Sequence, residues 1–560
     1  MGVPQPKKVR YNKSVATPPP VSMNRDRHLA RLTSEQFDLL VIGGGATGTG
    51  IALDATTRGL KVALVERDDF ASGTSSRSTK LIHGGVRYLE QAFKTLDQGK
   101  LNLVRDALKE RATLVKIAPH LAKALPIVTP IYSWFGVPYF TIGLKMYDFL
   151  AGKANLAPSQ YVPPKEALKR FPMLRAKGLR GAVIYYDGQF DDARMNVAIA
   201  QTAAEEGAAI ANHVEVTALH KNEAGKLTGV TVRDTLADKS WDIQAKVIIN
   251  ATGPFTDNLR KLDEPDCAPM LKVSSGIHIV LDEKFSPPAT GLLIPETEDG
   301  RLLFLLPWLG HTLVGTTDNP AKLETNPKAS EEDIEYVLRH VREYFSLPVT
   351  RQDVKSTWSG LRPLVFDPKA SDTAKLSRDH VVNISESGML TISGGKWTTY
   401  RKMSLDAVNQ AIALGNLQPT HAGPQTETLK LAGGKNYTAD GPSKWVHEAG
   451  VPEETAAYLN RAYGDRTPEV LAIAKAGYDT PLASGHPYLE AEVIYGARHE
   501  GACTVVDILA RRLRIGFLDS TAAKGAIARV AELLGHELGW THEQQQQHHD
   551  DAMTYFANAL

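Results

Sequence analysis

Three glycines, Gly43, Gly45 and Gly48, stand in the spacing G-x-G-x-x-G behind the apolar run 37–42 (FDLLVI). Glu66 follows roughly 20 residues later. That grouping suits the diphosphate and ribose of a dinucleotide. Gly43 permits a tight turn, Gly45 lets the backbone approach the diphosphate, and Gly48 lets the next helix pack against the strand. The helix N-terminus faces the phosphates, and Glu66 accepts from ribose hydroxyls. The glycine spacing alone is common; the strand before it, the helix after it and the acid make it specific. Residues 70–87 (FASGTSSRSTKLIHGGVR) hold many small hydroxyl residues and glycines, with Arg77, Lys80, Arg87 and His83. Such a loop can run along an extended cofactor, though its composition alone favours a solvated loop. Lys396 follows Gly394-Gly395 at a helix start, where a cation can stabilise developing negative charge. Thr398 and Thr399 beside it are equally suited to capping. His278 sits among apolar residues in GIHIVL (276–281), a place that core histidines usually fill.

Positioning these groups takes a strand–helix–strand unit. The strand 37–42 leads into a helix that closes at Gly59, and a second strand, 61–65, ends at Glu66. Residues 245–253 (AKVIINATG) and 389–401 (MLTISGGKWTTYR) repeat the pattern of a buried strand running into a small-residue turn. The nucleotide-binding fold is therefore read as discontinuous, with other material inserted. Residues 213–216 (HVEV) form a further strand near the adenine end. Between 258 and 350, the runs GIHIVL, RLLFLLPW and HTLVGTT read as sheet strands. Residues 330–345 read as a helix with Ser330 as N-cap and Asp333 in the capping-box position. From about 422 onward the pattern is mostly helical.

Composition narrows the function classes. The chain has 560 residues, 42% of them hydrophobic, with 64 Lys+Arg against 63 Asp+Glu. A net charge of +1 argues against a dedicated nucleic-acid binder and against wholesale disorder. Two cysteines, Cys267 and Cys503, exclude a disulfide scaffold and a thiolate-rich metal site. No EF-hand loop pattern occurs, and no metal site is expected. Lys7, Lys8, Arg10, Lys13 and Arg25 precede the first acid, Asp26, in a proline-broken segment. Residues 1–36 are read as a basic tail, either disordered or an organelle transit segment. No signal peptide and no apolar run long enough to span a bilayer are present.

The blocks VIGGGATGTG (41–50), TSSRSTKLIHGGVRYLEQAF (74–93), ERATLVKIAPHL (110–121), YYDGQFDDARMN (185–196), INATGPFTD (249–257), SGLRPL (359–364) and SGGKWTTYR (393–401) resemble the FAD-dependent glycerol-3-phosphate dehydrogenases, mitochondrial type. The resemblance runs from about residue 37 to the C-terminus; KLIHGG and GGKWTTYR are its specific parts. It implies an α/β + α architecture. A doubly wound, Rossmann-like FAD domain (37–125, 185–257 and 355–420) joins a β-sheet substrate domain (126–184 and 258–354) and a C-terminal helical domain (422–560). It implies oxidation of sn-glycerol 3-phosphate to dihydroxyacetone phosphate with FAD as cofactor, the electrons passing to membrane quinone. The alternative is an oxidase that uses oxygen and releases peroxide; the extra insertion of those enzymes is not seen here.

The same resemblance implies residue roles. His278, Arg362 and Lys396 are the catalytic candidates, with His278 as proton acceptor and His83 as the competing base. Arg87, Arg362 and Arg378 would clamp the phosphate, with Thr398 beside them; read alone, each arginine would be a surface ion pair. The cofactor set is Gly43, Gly45, Gly48, Glu66, Thr74, Ser75, Lys80, Leu81, His83, Val214, Gly253, Gly395 and Lys396. Residues 125–150, with Trp134, Phe135, Tyr139, Phe140, Tyr147, Phe149 and Lys145, suit a bilayer interface. A buried segment under the substrate domain is the competing reading. The expected location is the surface of a membrane, mitochondrial in a eukaryote and cytoplasmic in a bacterium. A homo-oligomer is compatible with all of this.

Overall fold

The computed structural model describes residues 23–86, 89, 98–295, 297–298, 300–365 and 380–557. Two sheets and a set of C-terminal helices organise it. The first sheet has five parallel strands in the order Leu390–Gly394, Lys239–Asn250, Gln36–Ile42, Val62–Val65, Ala209–Ala211. Strands such as VALV are buried on both faces, as parallel strands flanked by helices must be. An antiparallel pair, Val214–Lys221 and Leu227–Asp234, pairs onto the first half of Lys239–Asn250. His380–Ile384 closes the opposite edge. Helix Ala46–Thr57 packs between helices Asp192–Glu205 and Tyr400–Gly415. It approaches the latter so closely that a Cβ on Gly50 would lie 2.5 Å from Ser404 Oγ.

The second sheet is nearly all antiparallel. Val354–Val365 pairs with Leu271–Asp282, followed by His311–Gly315, Leu303–Trp308, Gly291–Ile294, Ala122–Ile131, Gly181–Phe190 and Leu81–Ile82. Helix Glu331–Tyr344 covers it with Ile334, Val337, Leu338 and Val341. Its start follows expectation: the Asp333 N–H donates to Ser330 Oγ at 3.1 Å. The expected domain edges at 125/126 and 184/185 fall inside Ala122–Ile131 and Gly181–Phe190, and Val354–Val365 belongs to this sheet.

The helices of the C-terminal region dock through buried ion pairs. Arg511 and Arg512 reach Asp69 at 2.5 and 2.7 Å, and Arg194 reaches Glu500 at 2.7 Å. Asp507 accepts from His213 Nε2 at 2.9 Å.

Two expectations are corrected. The basic tail does not extend to residue 36: Arg25–Ser34 is a helix, capped by Asn24, with His28 and Leu32 buried and Arg25 paired to Asp234 at 2.9 Å. Residues 1–22 lie outside the described residues. The stretch 125–150 is not uniform either. Its first part belongs to the buried strand Ala122–Ile131, and only helix Gly136–Ala151 and the turn before it reach the surface. There Trp134, Phe135, Tyr139, Ile142 and Phe149 are exposed, whereas Leu144 and Tyr147 are buried.

Candidate active site

A cleft of about 750 Å³ lies between the two sheets. One wall is the nucleotide fingerprint. Gly43 has φ +114°, and a Cβ there would meet Ala251 O at 2.5 Å; a Cβ on Gly48 would lie 1.8 Å from Gly43 O. Gly45 is the N-cap of helix Ala46–Thr57 and lines the cleft, where its Cβ position meets only Ser75 Oγ, at 3.0 Å. Ser75 Oγ also accepts the Ala46 N–H at 2.9 Å. Glu66 accepts from the Gly44 and Asp68 N–H groups at 2.6 and 2.9 Å. Burial, and then repulsion from Asp68, push its carboxyl up to about 7. Val214 donates its N–H to Glu66 O at 2.8 Å, which brings that strand to the same wall. A bare glycine turn, a helix N-terminus and an acid at this spacing fit the diphosphate and ribose of a dinucleotide.

The opposite wall is the antiparallel sheet. His278 and Gly276 share one face of strand Leu271–Asp282, because side chains alternate. Arg362, on the neighbouring strand, pairs with Ser274 of that same face. Its guanidinium passes over Gly276, where a Cβ would lie 2.2 Å from Nη2. Nη1 donates to Asp318 Oδ1, and Nη2 donates to Thr316 Oγ1 and Thr317 O, all at 3.0 Å. His278 is buried, stacks on Trp358 with centroids 4.1 Å apart, and holds Thr79 Oγ1 at 3.0 Å from Nε2. Gly315 makes room for the ring: a Cβ there would lie 2.3 Å from His278 Cδ2. Burial, then Lys80 and Arg362, hold the imidazole well below its ordinary value, so it is neutral. The third side is the turn Gly394-Gly395, both with positive φ, followed by Lys396 and the short helix Trp397–Thr399. Trp397 Nε1 donates to Ser75 O at 2.9 Å, and Thr398 Oγ1 accepts from the His83 N–H at 3.2 Å.

The cleft brings together Gly43, Gly45, Glu66, Thr74, Ser75, Leu81, His83, Val214, Gly253, His278, Arg362, Gly395, Lys396 and Thr398. Gly48 sits beneath it. Thr74 spends its hydroxyl on Leu361 O at 2.5 Å. Lys80 does not line the cleft: it is fully buried, with Nζ 2.6 Å from Asp192, because an ammonium taken out of water needs a carboxylate. Arg87 and Arg378 lie outside the described residues. Sequence reasoning missed Thr79, Thr316 and Asp318, which orient His278 and Arg362. The available signal was glycine inside strands, at 276, 315 and 360, which marks close approach.

Residues 38–401 match the family model of FAD dependent oxidoreductases, and 424–545 match that of the C-terminal domain of alpha-glycerophosphate oxidase. The chain is 51% identical over 540 residues to the mitochondrial glycerol-3-phosphate dehydrogenase of Macaca fascicularis, covering 94% of this chain and 74% of that protein. It is 48% identical over 561 residues to the mitochondrial glycerol-3-phosphate dehydrogenase SDP6 of Arabidopsis thaliana, covering 96% and 89%. The solved glycerol-3-phosphate dehydrogenase of Bacillus halodurans, in complex with FAD, superposes with a TM-score of 0.77 at 31% identity, over 95% of this chain and 97% of that one. An L-alpha-glycerophosphate oxidase from Mycoplasma pneumoniae shares the fold at 18% identity and a TM-score of 0.54, over 71% of this chain and 99% of that one. With a family model matched over residues 38–401 and relatives about half identical over nearly the whole chain, the chain belongs to the FAD-dependent glycerol-3-phosphate dehydrogenases of mitochondrial type.

Proposed function

We propose that this enzyme binds glycerol 3-phosphate against the antiparallel wall of the cleft and passes the electrons it removes to quinone at a membrane surface. The observation that carries the first half is the pairing of a neutral, buried histidine with an arginine on the same sheet face, opposite the nucleotide wall. Bound FAD supplies the hydride acceptor. Arg362, oriented by Asp318 and Thr316, places its guanidinium charge toward the substrate phosphate with little further ordering. His278 is the proton acceptor: the Thr79 hydroxyl, 3.0 Å from Nε2, takes the alcohol proton as it gives its own to the ring. Lys396 and the helix start at Ala46 would hold the cofactor's polar edges. Arg87 and Arg378 complete the clamp in the family's pattern.

The second half rests on the exposed aromatic face at Trp134, Phe135, Tyr139 and Phe149, the last 85% exposed and Phe135 91% exposed. Apolar area of this kind gains by entering a headgroup–acyl boundary. Among the described residues no helix is long and apolar enough to cross a membrane, so the contact proposed is peripheral. The test is Trp134→Glu with Phe135→Glu. Reduction of a soluble dye by glycerol 3-phosphate is expected to survive, while liposome binding and quinone reduction fall together. Wild-type sedimentation with liposomes, or loss of flavin, would sink the membrane reading. Oxygen consumption with stoichiometric peroxide in place of quinone reduction would favour the oxidase.

A further inference from the structure

We propose that a second cleft, between the antiparallel sheet and the C-terminal helices, binds a small phosphate-bearing anion. It has a volume of about 740 Å³ and is lined from both units. Eight lysines and arginines face it, against two carboxylates, Asp191 and Glu283. The deepest of the cations are already neutralised: Arg194 by Glu500, Arg512 by Asp69, Arg514 by Asp192. Nearer the mouth the balance changes. Lys123, from strand Ala122–Ile131, and Arg461, from helix Glu453–Tyr463, have no carboxylate within ion-pair distance among the described residues. They oppose each other: Lys123 is exposed at the cavity's edge, yet partial desolvation of its ammonium, and then the charge of Arg461, lower it from its ordinary value. Two cations from different parts of the fold line one cavity and repel each other across it. An anion bridging them would remove that repulsion.

The rest of the lining says what kind of anion. A cavity this size falls in the range of small-molecule sites, roughly 300–1,000 Å³, and exceeds inorganic phosphate. Trp308 and Tyr458 supply flat apolar surface, and the Trp308 Nε1 is buried without a hydrogen-bond partner among the described residues. The fitting ligand is an organic phosphate or diphosphate, its charge at Lys123 and Arg461 and its body along Trp308. The site is separate from the flavin cleft. Between them lies Lys80, with Nζ 5.1 Å from the Trp308 ring and 4.5 Å from the Trp358 ring, held by Asp192.

Pyrophosphate binding to the flavin-loaded protein, followed by equilibrium dialysis, tests this independently of the proposed reaction. The wild type is expected to show two classes of site. Lys123→Gln with Arg461→Gln should weaken one class at least tenfold and leave the flavin spectrum and dye reduction unchanged. Arg362→Gln should weaken only the other. If the double variant loses its flavin, the two single variants are read instead, each expected to lose part of the same class. A double variant, or both single variants, binding pyrophosphate as the wild type does would overturn the inference. So would a single class abolished by Arg362→Gln. Two classes both untouched by Arg362→Gln would contradict the phosphate clamp and leave the second cleft standing.

Discussion

A methyl group added at Gly48 would stand 1.8 Å from Gly43 O, whereas at Arg362 it is the loss of atoms that matters, since its guanidinium makes three hydrogen bonds at 3.0 Å. The two walls of the flavin cleft differ throughout in this way. The nucleotide wall works by absence, with backbone and a helix N-terminus brought close because side chains are missing. The antiparallel wall works by placed side chains, each oriented by a neighbour. The lesson is that the first wall breaks when something is added and the second when something is removed.

The largest effect is expected on the first wall. Gly48→Val forces helix and strand apart and should yield no folded flavoprotein, measured as loss of soluble yellow protein. Gly45→Val is milder, because its Cβ meets only Ser75 Oγ. It should fold yet be colourless, and full flavin content would contradict the assignment. On the second wall, His278→Asn should lower kcat by about 10²–10⁴-fold with the flavin retained. Because burial, Lys80 and Arg362 depress the imidazole, the acid limb of the kcat–pH profile due to His278 should lie below pH 6.5. The base is lost only as pH falls through that depressed value. An acid limb centred above 7 would move the role to another group, with His83 the first candidate.

Next in size, Arg362→Ala should cost about tenfold or more in kcat/KM, since a charged hydrogen bond contributes about 1.5–3 kcal/mol. Equal turnover of plain glycerol by the intact enzyme would show that no phosphate clamp operates. The smallest effect on chemistry is expected at the N-terminus. Deleting residues 1–22 should change neither rates nor thermal stability. Deleting 1–34 removes the fully buried Leu32 and the Arg25–Asp234 pair, and should destabilise by about 2–5 kcal/mol with rates intact at low temperature. Identical melting of the two truncations would mean that the helix Arg25–Ser34 contributes nothing.

The same contrast explains what the sequence could tell. The nucleotide wall was legible because its signal is local: strand, glycines, helix and acid lie within residues 37–66. Lys80 was read as a cofactor contact from its loop. Its actual partner, Asp192, is 112 residues away, a pairing that no local pattern announces. Strand Gly181–Phe190 is buried on nearly every residue, so it lacks the alternation that marks a strand, and the expected boundary fell inside it. His278 and Arg362 were identified only through the family resemblance. Their meeting depends on the register of two strands nearly 90 residues apart in the chain. Helix Arg25–Ser34 was read as tail because it is mostly polar and buries only His28 and Leu32.

Gly276, Gly315 and Gly360 cluster around His278 and Arg362, two of them directly opposite each other in the ladder. Each glycine inside a strand costs roughly 0.5–1 kcal/mol relative to alanine. Replacing any of these three would drive a Cβ to within 2.9 Å of His278, Arg362 or Arg77. The patch is thus closed to stabilisation by replacing glycine. A thermostable variant of this enzyme must gain its margin elsewhere, in the helix caps, the loops or the covering helix Glu331–Tyr344, and carry this soft spot unchanged at its centre.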